Sequence, residues 1–254
     1  MEWIAHRGAA FDAPENSLEA IAMSIDQGAA RVEIDVQLTA DHVPIVCHDP
    51  NTARLTGASL EVELSTAAAL RAHPLPNGEA LATLDEVCAL LRGRATIDLE
   101  IKSPTRETVR QSMAVLRHHD MLEETLFTAF DPEVLRMLRI EGFRGKTGLL
   151  IGSRSLHLRQ RAYETWPLWT VDKARADYLV IHHKLAHPFL RRALHRQGKE
   201  LILWTAMEDE AQPPGKRAQL YRRCLQLRPA GLIVARVAEA RSVAQGLPGT
   251  QAPT

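Results

Sequence analysis

Short apolar runs that end in charged side chains recur along this chain. Residues 3–8, 32–37, 45–49 and 97–102 all have this form. Brief apolar runs between polar segments are typical of buried strands. Because α/β enzymes carry their chemistry at the carboxyl ends of strands, we expect these four strand ends to meet at one site.

The run at residues 31–38 alternates between apolar and polar positions. One face carries Val32, Ile34 and Val36, and the other carries Glu33, Asp35 and Gln37. An alternation that repeats every two residues predicts a strand, and it places the acidic side chains side by side on one face. Asp98 and Glu100 have the same spacing within the predicted strand 95–102.

Helical signals separate the predicted strands. Asn16 or Ser17 is a natural N-cap for the first helix. From Ala95 onward strand and helix patterns alternate, with one helix expected at 155–163 and the last at 237–245. About eight strands separated by helices favour an α/β fold of the (β/α)8 TIM barrel type. An open doubly wound sheet is disfavoured because GxGxxG is absent after the first strand.

We expect a single barrel domain over residues 1–246, followed by a disordered tail at 247–254. Residues 51–82, after the second strand region, have the least regular pattern and include one probable short helix near 65–71. This segment is too short to hold a core of its own. It is therefore interpreted as a small insertion over one mouth of the barrel.

The composition excludes several classes of protein. Among the 254 residues, 31 are basic and 31 are acidic, so no net charge attracts nucleic acid or an acidic membrane. No apolar run reaches the roughly 18 residues of a transmembrane helix, and no stable membrane insertion is expected. No signal peptide precedes the first strand, so we expect a cytoplasmic protein if the chain is complete. The three cysteines form no CxxC pair, which disfavours a disulfide framework or a zinc site.

The predicted strands bring acidic residues together. Burying several carboxylates side by side is costly unless cations neutralise them. Ligands that offer only oxygen suit a hard divalent cation, Mg2+ or Ca2+. The alternative is a set of salt bridges in the barrel mouth, with Lys102 and Arg7 as the partners.

Two of the eleven histidines differ from the others. His6 and His48 each end an apolar strand beside a charged residue. Two histidines that face one phosphate can act as general base and general acid. His182 and His183 end another predicted strand, so one of them is expected to face the barrel and is a candidate to contact the substrate.

Lys102 lies two residues after Glu100 and therefore on the same face of its strand. It is a candidate to stabilise negative charge on phosphoryl oxygens. Arg7 is a second candidate, although strand alternation points it away from His6 unless the strand has already ended. Glu15 is expected to hold Arg7 in place.

Aromatic residues have two possible roles. Phe130 and Trp204 lie at predicted strand ends, where they form either an apolar wall for a leaving group or part of the core. Residues 166–169, Trp-Pro-Leu-Trp, are either an exposed patch that meets lipid or a partner, or a loop packed against helices. Packing is the favoured interpretation of this second cluster.

Five motifs in this order resemble those of the glycerophosphodiester phosphodiesterases, within the phospholipase C-like phosphodiesterase superfamily. They are His6-Arg7-Gly8, Pro14-Glu15-Asn16-Ser17, Glu33-Ile34-Asp35, His48-Asp49-Pro50 and Glu100-Ile101-Lys102. The resemblance covers roughly residues 2–240, and the five motifs together are specific, although the first alone is weak.

The resemblance implies a (β/α)8 barrel with a small insertion. It also implies one divalent cation held by Glu33, Asp35 and Glu100, with His6 and His48 as the acid/base pair and Arg7 and Lys102 on the phosphate. The implied reaction is hydrolysis of small glycerophosphodiesters, such as glycerophosphocholine or glycerophosphoethanolamine. The products would be sn-glycerol 3-phosphate and an alcohol. The pattern leaves the oligomeric state open.

The chain departs from the family pattern at two places. Ala235-Arg236 stands where the family usually has Thr-Asp, and Met207 stands where it usually has Asn. The insertion is also shorter than in many relatives, which predicts a more open site. An open site favours one alternative, a lysophospholipase D that acts on lysophospholipids. A second alternative is an inactive barrel that binds phosphodiesters.

Overall fold

A computed structural model of the chain describes residues 1–152 and 165–246. Its strands are β1 (Glu2–His6), β2 (Arg31–Leu38), β3 (Pro44–Val46), β4 (Thr96–Ile101), β5 (Leu126–Ala129), β6 (Thr147–Ile151), β7 (Tyr178–His182), β8 (Glu200–Trp204) and β9 (Gly231–Val234). All of these except β3 are parallel and form a ring in the order β1, β9, β8, β7, β6, β5, β4 and β2, which pairing of β1 with β2 closes. The predicted (β/α)8 barrel is confirmed.

Strand β3 lies outside the ring. It pairs antiparallel with the far end of β2, where Val36 lies opposite Val46. β2 is therefore longer than the barrel wall and forms a hairpin with β3 above it. The sequence predicts a strand at 45–48 but not its direction, and His48 consequently follows a hairpin strand rather than a barrel strand.

The described helices enclose the ring or belong to its loops. They span Leu18–Asp26, Ala53–Thr56, Ala67–Arg71, Leu84–Leu91, Arg106–His118, Pro132–Ile140, Pro167–Lys173, Pro188–Arg196, Met207–Glu210, Pro214–Gln226 and Val237–Gln245. Ser17 is the N-cap of the first helix, since its side chain accepts a hydrogen bond from the Ala20 N–H at 3.0 Å. The helix predicted at 155–163 and the tail predicted at 247–254 lie outside the described residues.

The barrel interior is polar on one side and apolar on the other. On the polar side, β2 and β4 carry Glu33, Asp35, Asp98 and Glu100, all buried. On the apolar side, the interior cluster consists of Ile4, Leu126, Leu150, Val180, Ile202 and Ile233. Residues that alternate with the acidic residues along β2 and β4, such as Val32 and Leu99, pack in the larger core that includes the helices. The charged groups are therefore gathered beside β1, β2 and β4.

The insertion packs around a small apolar cluster of its own. Val62 and Leu70, both fully buried, join Ile45 of β3 in this cluster. Arg71 fixes the segment to the barrel by two hydrogen bonds to the carboxylate of Glu86, at 2.6 and 2.8 Å. The insertion is thereby held over the edge of the barrel that contains β2 and β3.

Trp166 and Trp169 are 61% and 58% exposed. The expectation that this cluster packs against helices is therefore wrong for both indole rings, although Leu168 between them packs against the main core. Within residues 1–152 and 165–246, no helix is both long enough and apolar enough to cross a bilayer.

Candidate active site

The carboxyl ends of the barrel strands surround a cavity of about 1170 Å³. Nine of the predicted site residues line it: His6, Arg7, Glu15, Glu33, His48, Glu100, Lys102, Phe130 and Trp204. The tenth, Asp35, is fully buried and contacts Arg7 and Lys102. The fold thus gathers all ten residues at one end of the barrel.

Strand register assembles three carboxylates into one cluster. Asp35 lies opposite Glu100 in the pairing of β2 with β4, and Glu33 lies opposite His6 in the pairing of β1 with β2. Oxygens of Glu33, Asp35 and Glu100 all lie within 4.8 Å of one another. The strand β2 has the predicted bounds, 31–38, so Glu33 and Asp35 lie in its middle and not at its carboxyl end as expected. The offset between β1 and β2 brings these mid-strand carboxylates level with the end of β1.

Burial acts strongly on this carboxylate cluster. It raises the pKa of Glu33 well above the ordinary value, and the charges of Asp35 and Glu100 add to the rise. Burial also raises the pKa of Glu100, against the opposing effect of Lys102. For Asp35 burial acts in the same direction, but Lys102 and Arg7 outweigh it and hold the pKa well below its usual range. Charge on Asp35 is therefore compensated by two cations and charge on Glu100 in part by Lys102, whereas Glu33 is the least compensated of the three.

Two cations contact the carboxylate cluster. The Lys102 Nζ lies 2.6 Å from Glu100 Oε1 and 3.0 Å from Asp35 Oδ1. The Arg7 Nε lies 3.1 Å from Asp35 Oδ2, which also accepts a hydrogen bond from the Asn16 amide at 2.9 Å. The ion pairs to Asp35 lack the angles of hydrogen bonds. The contacts of both cations with Asp35 are therefore electrostatic and not directional. Arg7 is oriented instead by the hydrogen bond from its Nη1 to Glu15, and Lys102 by its 2.6 Å contact with Glu100.

The donor set fits a hard divalent cation. Three buried carboxylates supply only oxygen ligands, which is the chemistry that Mg2+ and Ca2+ prefer. Glu33 contacts the Arg7 backbone N–H at 3.1 Å and the His6 Nε2 at 4.0 Å, and neither group carries a permanent charge. The salt-bridge alternative thus accounts for Asp35 and Glu100. Added positive charge would stabilise the ionised form of Glu33, whose pKa is raised.

The backbone turns sharply at Arg7. Its φ angle is +57°, in the left-handed region, and its N–H donates to the Glu33 carbonyl oxygen at 2.9 Å. Gly8 continues the turn at φ +80°, and a Cβ at that position would lie 2.6 Å from the Ala20 carbonyl carbon. Strand alternation therefore stops at His6. Arg7 points into the site and not outward as the alternation alone predicts.

Arg54 is a site residue that sequence reasoning missed. It donates to both carboxylate oxygens of Glu15, at 2.6 and 3.0 Å, and to Asp49 at 2.5 Å. Glu15 in turn accepts from Arg7 at 3.0 Å, as predicted. The insertion thereby steadies Arg7 through Glu15. Because Arg54 contacts residues far away in the chain, no local pattern indicates this role.

The two predicted histidines differ in their surroundings. His6 is buried, and its pKa is lowered well below the usual value by burial first and then by Arg7. Among the described residues, its Nδ1 has no hydrogen-bond partner. The His48 side chain is one third exposed, and its Nδ1 lies 2.7 Å from Asp49 Oδ1. An ionised carboxylate can only accept a hydrogen bond, so Nδ1 of His48 carries a proton. The other ring nitrogen, Nε2, is available for proton transfer.

Aromatic rings cover the opposite part of the cavity. The rings of Phe130 and Trp204 meet edge to face, with centroids 6.4 Å apart, and the Lys102 Nζ lies 5.9 Å from the Phe130 centroid. The Trp204 indole N–H donates to the Ile151 carbonyl oxygen at 3.1 Å, which fixes its ring. Met207 also lines the cavity, so the position where the family usually has Asn is apolar here.

A second polar group lies on the aromatic side. We call His182, His183 and Asp209 the histidine–aspartate cluster. The His182 Nε2 and His183 Nε2 lie 3.0 and 3.1 Å from the same oxygen, Asp209 Oδ2, and the Lys184 Nζ lies 2.7 Å from Oδ1. His182 lines the cavity, so one histidine of this pair faces the barrel as predicted. Asp209 was missed because it is one of three successive acidic residues with no distinguishing pattern.

Glu210 resolves one departure from the family pattern. Its buried carboxylate accepts from the backbone N–H of Ala235 and of Arg236, at 2.9 and 3.0 Å. It also accepts from the hydroxyls of Thr205 and Tyr221, at 2.5 and 2.7 Å. Burial raises its pKa, and these hydrogen bonds oppose the rise. The turn after β9 is therefore fully bonded without a Thr-Asp pair.

Asp98 lies on the polar side but outside the carboxylate cluster. It accepts a hydrogen bond from the Thr128 hydroxyl at 2.8 Å, and its other oxygen has no hydrogen-bond partner within the described part of the chain. Burial raises its pKa to about 7. The sequence pairs Asp98 with Glu100 on one face, and the structure uses only Glu100 in the cluster.

A barrel whose mouth combines buried carboxylates, histidines and cations is suited to the chemistry of phosphate esters. The model of the glycerophosphoryl diester phosphodiesterase family matches residues 6–239. The chain belongs to this family, and the resemblance drawn from the five motifs is confirmed.

Individual relatives agree with this assignment. The chain is 31% identical over 147 residues to glycerophosphodiester phosphodiesterase 1 of Bos taurus, a match that covers 54% of this chain and 44% of the relative. The chain thus spans less than half the length of that curated relative. A solved structure of a glycerophosphoryl diester phosphodiesterase from Silicibacter pomeroyi has a TM-score of 0.82 at 24% identity, and covers 96% of this chain and 92% of its own.

A second solved structure is an Oleispira antarctica phosphodiesterase in complex with its product, sn-glycerol-3-phosphate. It has a TM-score of 0.79 at 21% identity and covers 97% of both chains. At this level of identity, the likeness of the two solved structures establishes the fold.

Proposed function

We propose that this chain hydrolyses glycerophosphodiesters, such as glycerophosphocholine and glycerophosphoethanolamine, to sn-glycerol 3-phosphate and an alcohol. The observation that carries the proposal is the position of His6, Arg7 and Lys102 around one buried carboxylate cluster. Membership of the family supports the reaction type. The arrangement offers a phosphate both positive charge and a proton acceptor.

A divalent cation, Mg2+ or Ca2+, held by Glu33, Asp35 and Glu100 would polarise the phosphoryl group. Arg7 and Lys102 bind the phosphoryl oxygens. Both are already aligned by their contacts with Asp35, and Arg7 is steadied further by Glu15. Positive groups that are positioned before the reaction stabilise developing negative charge at little cost in reorganisation.

His6 and His48 transfer the protons. Burial beside Arg7 keeps His6 neutral, so it accepts the proton of the attacking hydroxyl. His48 acts as the acid in its imidazolium form. Asp49 accepts from its Nδ1–H, and the proton on Nε2 passes to the leaving alkoxide, which leaves His48 neutral. Attack by water and attack by a free glycerol 2-hydroxyl both fit these two roles.

Phe130 and Trp204 accommodate the alcohol that leaves. They lie with Leu150 and Ile233 on the apolar side of the same cavity. An apolar wall at this position excludes water from the leaving group. Its side chains carry no charge, so they do not compete with Arg7 and Lys102 for the phosphate.

The test is a comparison of two substrates that share one headgroup. Purified protein is supplied with Mg2+ or Ca2+, and product release is followed from glycerophosphocholine and from lysophosphatidylcholine. We expect turnover of the soluble diester. Binding of the diester without any turnover would instead identify an inactive barrel.

A lysophospholipase D activity is the second candidate. Trp166 and Trp169 are largely exposed, and exposed indole rings suit the boundary between lipid and water. The large cavity leaves space for a longer substrate. Release of choline from lysophosphatidylcholine, with none from glycerophosphocholine, would favour this candidate over the first.

A further inference from the structure

The histidine–aspartate cluster has no role in the proposed hydrolysis. His182 and Asp209 line the cavity on the wall formed with Trp204, whereas the carboxylate cluster belongs to β2 and β4. Imidazole groups from the end of β7 and a carboxylate from the short helix Met207–Glu210 converge on this one point. Such a convergence of groups indicates either a ligand-binding site or a structural role for the cluster.

We propose that His182, His183 and Asp209 form a second metal site, which binds a divalent transition ion of the zinc class. The three residues offer ligand atoms that lie within 4.8 Å of one another. Two imidazole nitrogens and one carboxylate oxygen are a common donor set for such ions in proteins.

The donor chemistry separates this site from the carboxylate cluster. Oxygen ligands alone favour hard ions such as Mg2+ and Ca2+, whereas imidazole nitrogen favours Zn2+, Co2+ and Ni2+. The two sites therefore select different ions from the same solution, although both sets of residues contribute to the wall of one cavity.

The spacing is already close to that of a bound ion. Zn2+ holds imidazole nitrogen and carboxylate oxygen at about 2.0–2.2 Å, so tetrahedral ligand atoms lie roughly 3.3–3.5 Å apart. The His182 and His183 nitrogens lie 3.0 and 3.1 Å from Asp209 Oδ2. These two N···O distances are a few tenths of an ångström shorter than in a tetrahedral zinc site, and the ligand atoms of the two histidines lie within 4.8 Å of each other.

Neighbouring groups orient the proposed ligands. Lys184 occupies Asp209 Oδ1, and the Ala206 N–H lies 3.3 Å from Oδ2, so the carboxylate is held in place. The His182 ring packs edge to face on Trp204, with centroids 4.5 Å apart. Metal ligands are commonly supported by such outer contacts. The Lys184 side chain is 61% exposed and can move away when the site gains positive charge.

The experiment is a calorimetric titration of the full chain with ZnCl2. Bound metal is first removed, and excess Mg2+ then fills the carboxylate cluster. We expect one Zn2+ to bind per chain, and His183→Ala and Asp209→Asn each to weaken binding by at least about tenfold, roughly 1.4 kcal/mol. Asp209→Asn keeps the shape of the side chain, and circular dichroism verifies that both variants are folded. Co2+ used in place of Zn2+ gives visible d–d absorption bands, which are intense in a tetrahedral site and weak in a six-coordinate oxygen site.

Two controls distinguish this site from other binding. His195→Ala removes an exposed helical histidine and should leave the Zn2+ affinity unchanged. Glu100→Gln weakens the carboxylate cluster and should also leave it unchanged. The proposal is overturned if no Zn2+ binds, if both cluster variants bind it normally, or if Glu100→Gln is the change that abolishes binding. In those cases the cluster is a set of hydrogen bonds that fixes the loop after β8.

Discussion

The His6 ring and the Glu33 carboxylate face each other across the pairing of β1 with β2, with the His6 Nε2 4.0 Å from Glu33 Oε2. The proposed proton acceptor and a proposed metal ligand are thus neighbours by strand register. A shift of one residue in that register would turn Glu33 to the other face of β2 and separate them.

Loss of either histidine is expected to stop catalysis and preserve the fold. We expect His6→Ala and His48→Ala each to lower kcat on glycerophosphocholine by roughly 100- to 10,000-fold, because each removes a proton-transfer group. Release of glycerol 3-phosphate measures activity, and thermal unfolding verifies the fold. His73→Ala, at an exposed position outside the cavity, is the matched control. Near-normal activity in either site variant contradicts the two-histidine mechanism.

Chelation is expected to remove activity reversibly. EDTA should abolish turnover, and Mg2+ or Ca2+ should restore it. Burial raises the pKa of Glu33 and Glu100, and a bound cation stabilises their ionised forms. The same cation should raise the Tm, and the rise should grow with the logarithm of the cation concentration once that concentration exceeds the Kd. Glu100→Gln should shift this dependence to higher cation concentrations. Full activity after exhaustive chelation would refute the dependence on a cation.

Asp98 is expected to make stability depend on pH. Its pKa in the folded protein is about 7, above the usual 3.8, so the folded state binds a proton that the unfolded state has released. The stabilisation is present below about pH 4 and is lost as the pH rises to about 7, at up to roughly 1.4 kcal/mol per pH unit. Asp98→Asn should remove this slope.

Urea unfolding of wild type and Asp98→Asn at pH 5 and pH 8 measures the effect. The variant should gain stability relative to wild type as the pH rises. Asp26→Asn, at an exposed position, serves as the control. Parallel pH profiles for wild type and Asp98→Asn would show that Asp98 titrates normally.

Glu210 is expected to matter for stability more than any exposed acid. Glu210→Ala leaves four buried donors without their acceptor and should cost about 3 kcal/mol or more in the free energy of unfolding. Tyr221→Phe removes one of those donors and should cost about 1 kcal/mol. Denaturant midpoints compare the two variants. Equal losses would mean that the backbone bonds to Ala235 and Arg236 contribute nothing.

Arg54 is expected to act on the substrate through Glu15 and Arg7. Arg54→Ala should raise KM by about three- to tenfold with a smaller effect on kcat, since exposed ion pairs contribute on the order of 1 kcal/mol. Arg54→Lys retains the charge and should recover part of the loss. Steady-state kinetics on glycerophosphocholine separates KM from kcat. A fall in kcat alone would instead assign Arg54 to the chemical step.

Local periodicity predicted the barrel well. Residues 31–38 alternate because one face meets the helices and the other meets the interior, and the structure gives the strand the same bounds. The last helix, Val237–Gln245, also agrees in its bounds. The antiparallel direction of β3 was missed, because an apolar triplet has the same pattern in either direction.

The site was predicted where motifs carry it and missed where long-range contacts build it. Several of the ten expected residues meet because parallel strands end on one side of the barrel, and His48 joins them from the hairpin strand β3. Arg54 contacts Glu15 across 39 positions, and Asp209 contacts His182 across 27. The spacing of residues along the chain cannot predict contacts between residues so far apart in sequence. Strand alternation alone would point Arg7 outward if the strand continued past His6. The left-handed φ angle of Arg7 ends the alternation there, which local periodicity does not reveal.

The unequal lining of the barrel makes substrate range and reactivity independently adjustable. Leu150 and Ile233 border the cavity on strands that carry none of the proposed acids or bases. Exchanging either for a larger or smaller apolar residue changes the space for an alcohol and leaves every charge beside His6 in place. Descendants of this chain can therefore acquire new leaving groups by substitutions on β6 and β9, while β1, β2 and β4 remain unaltered.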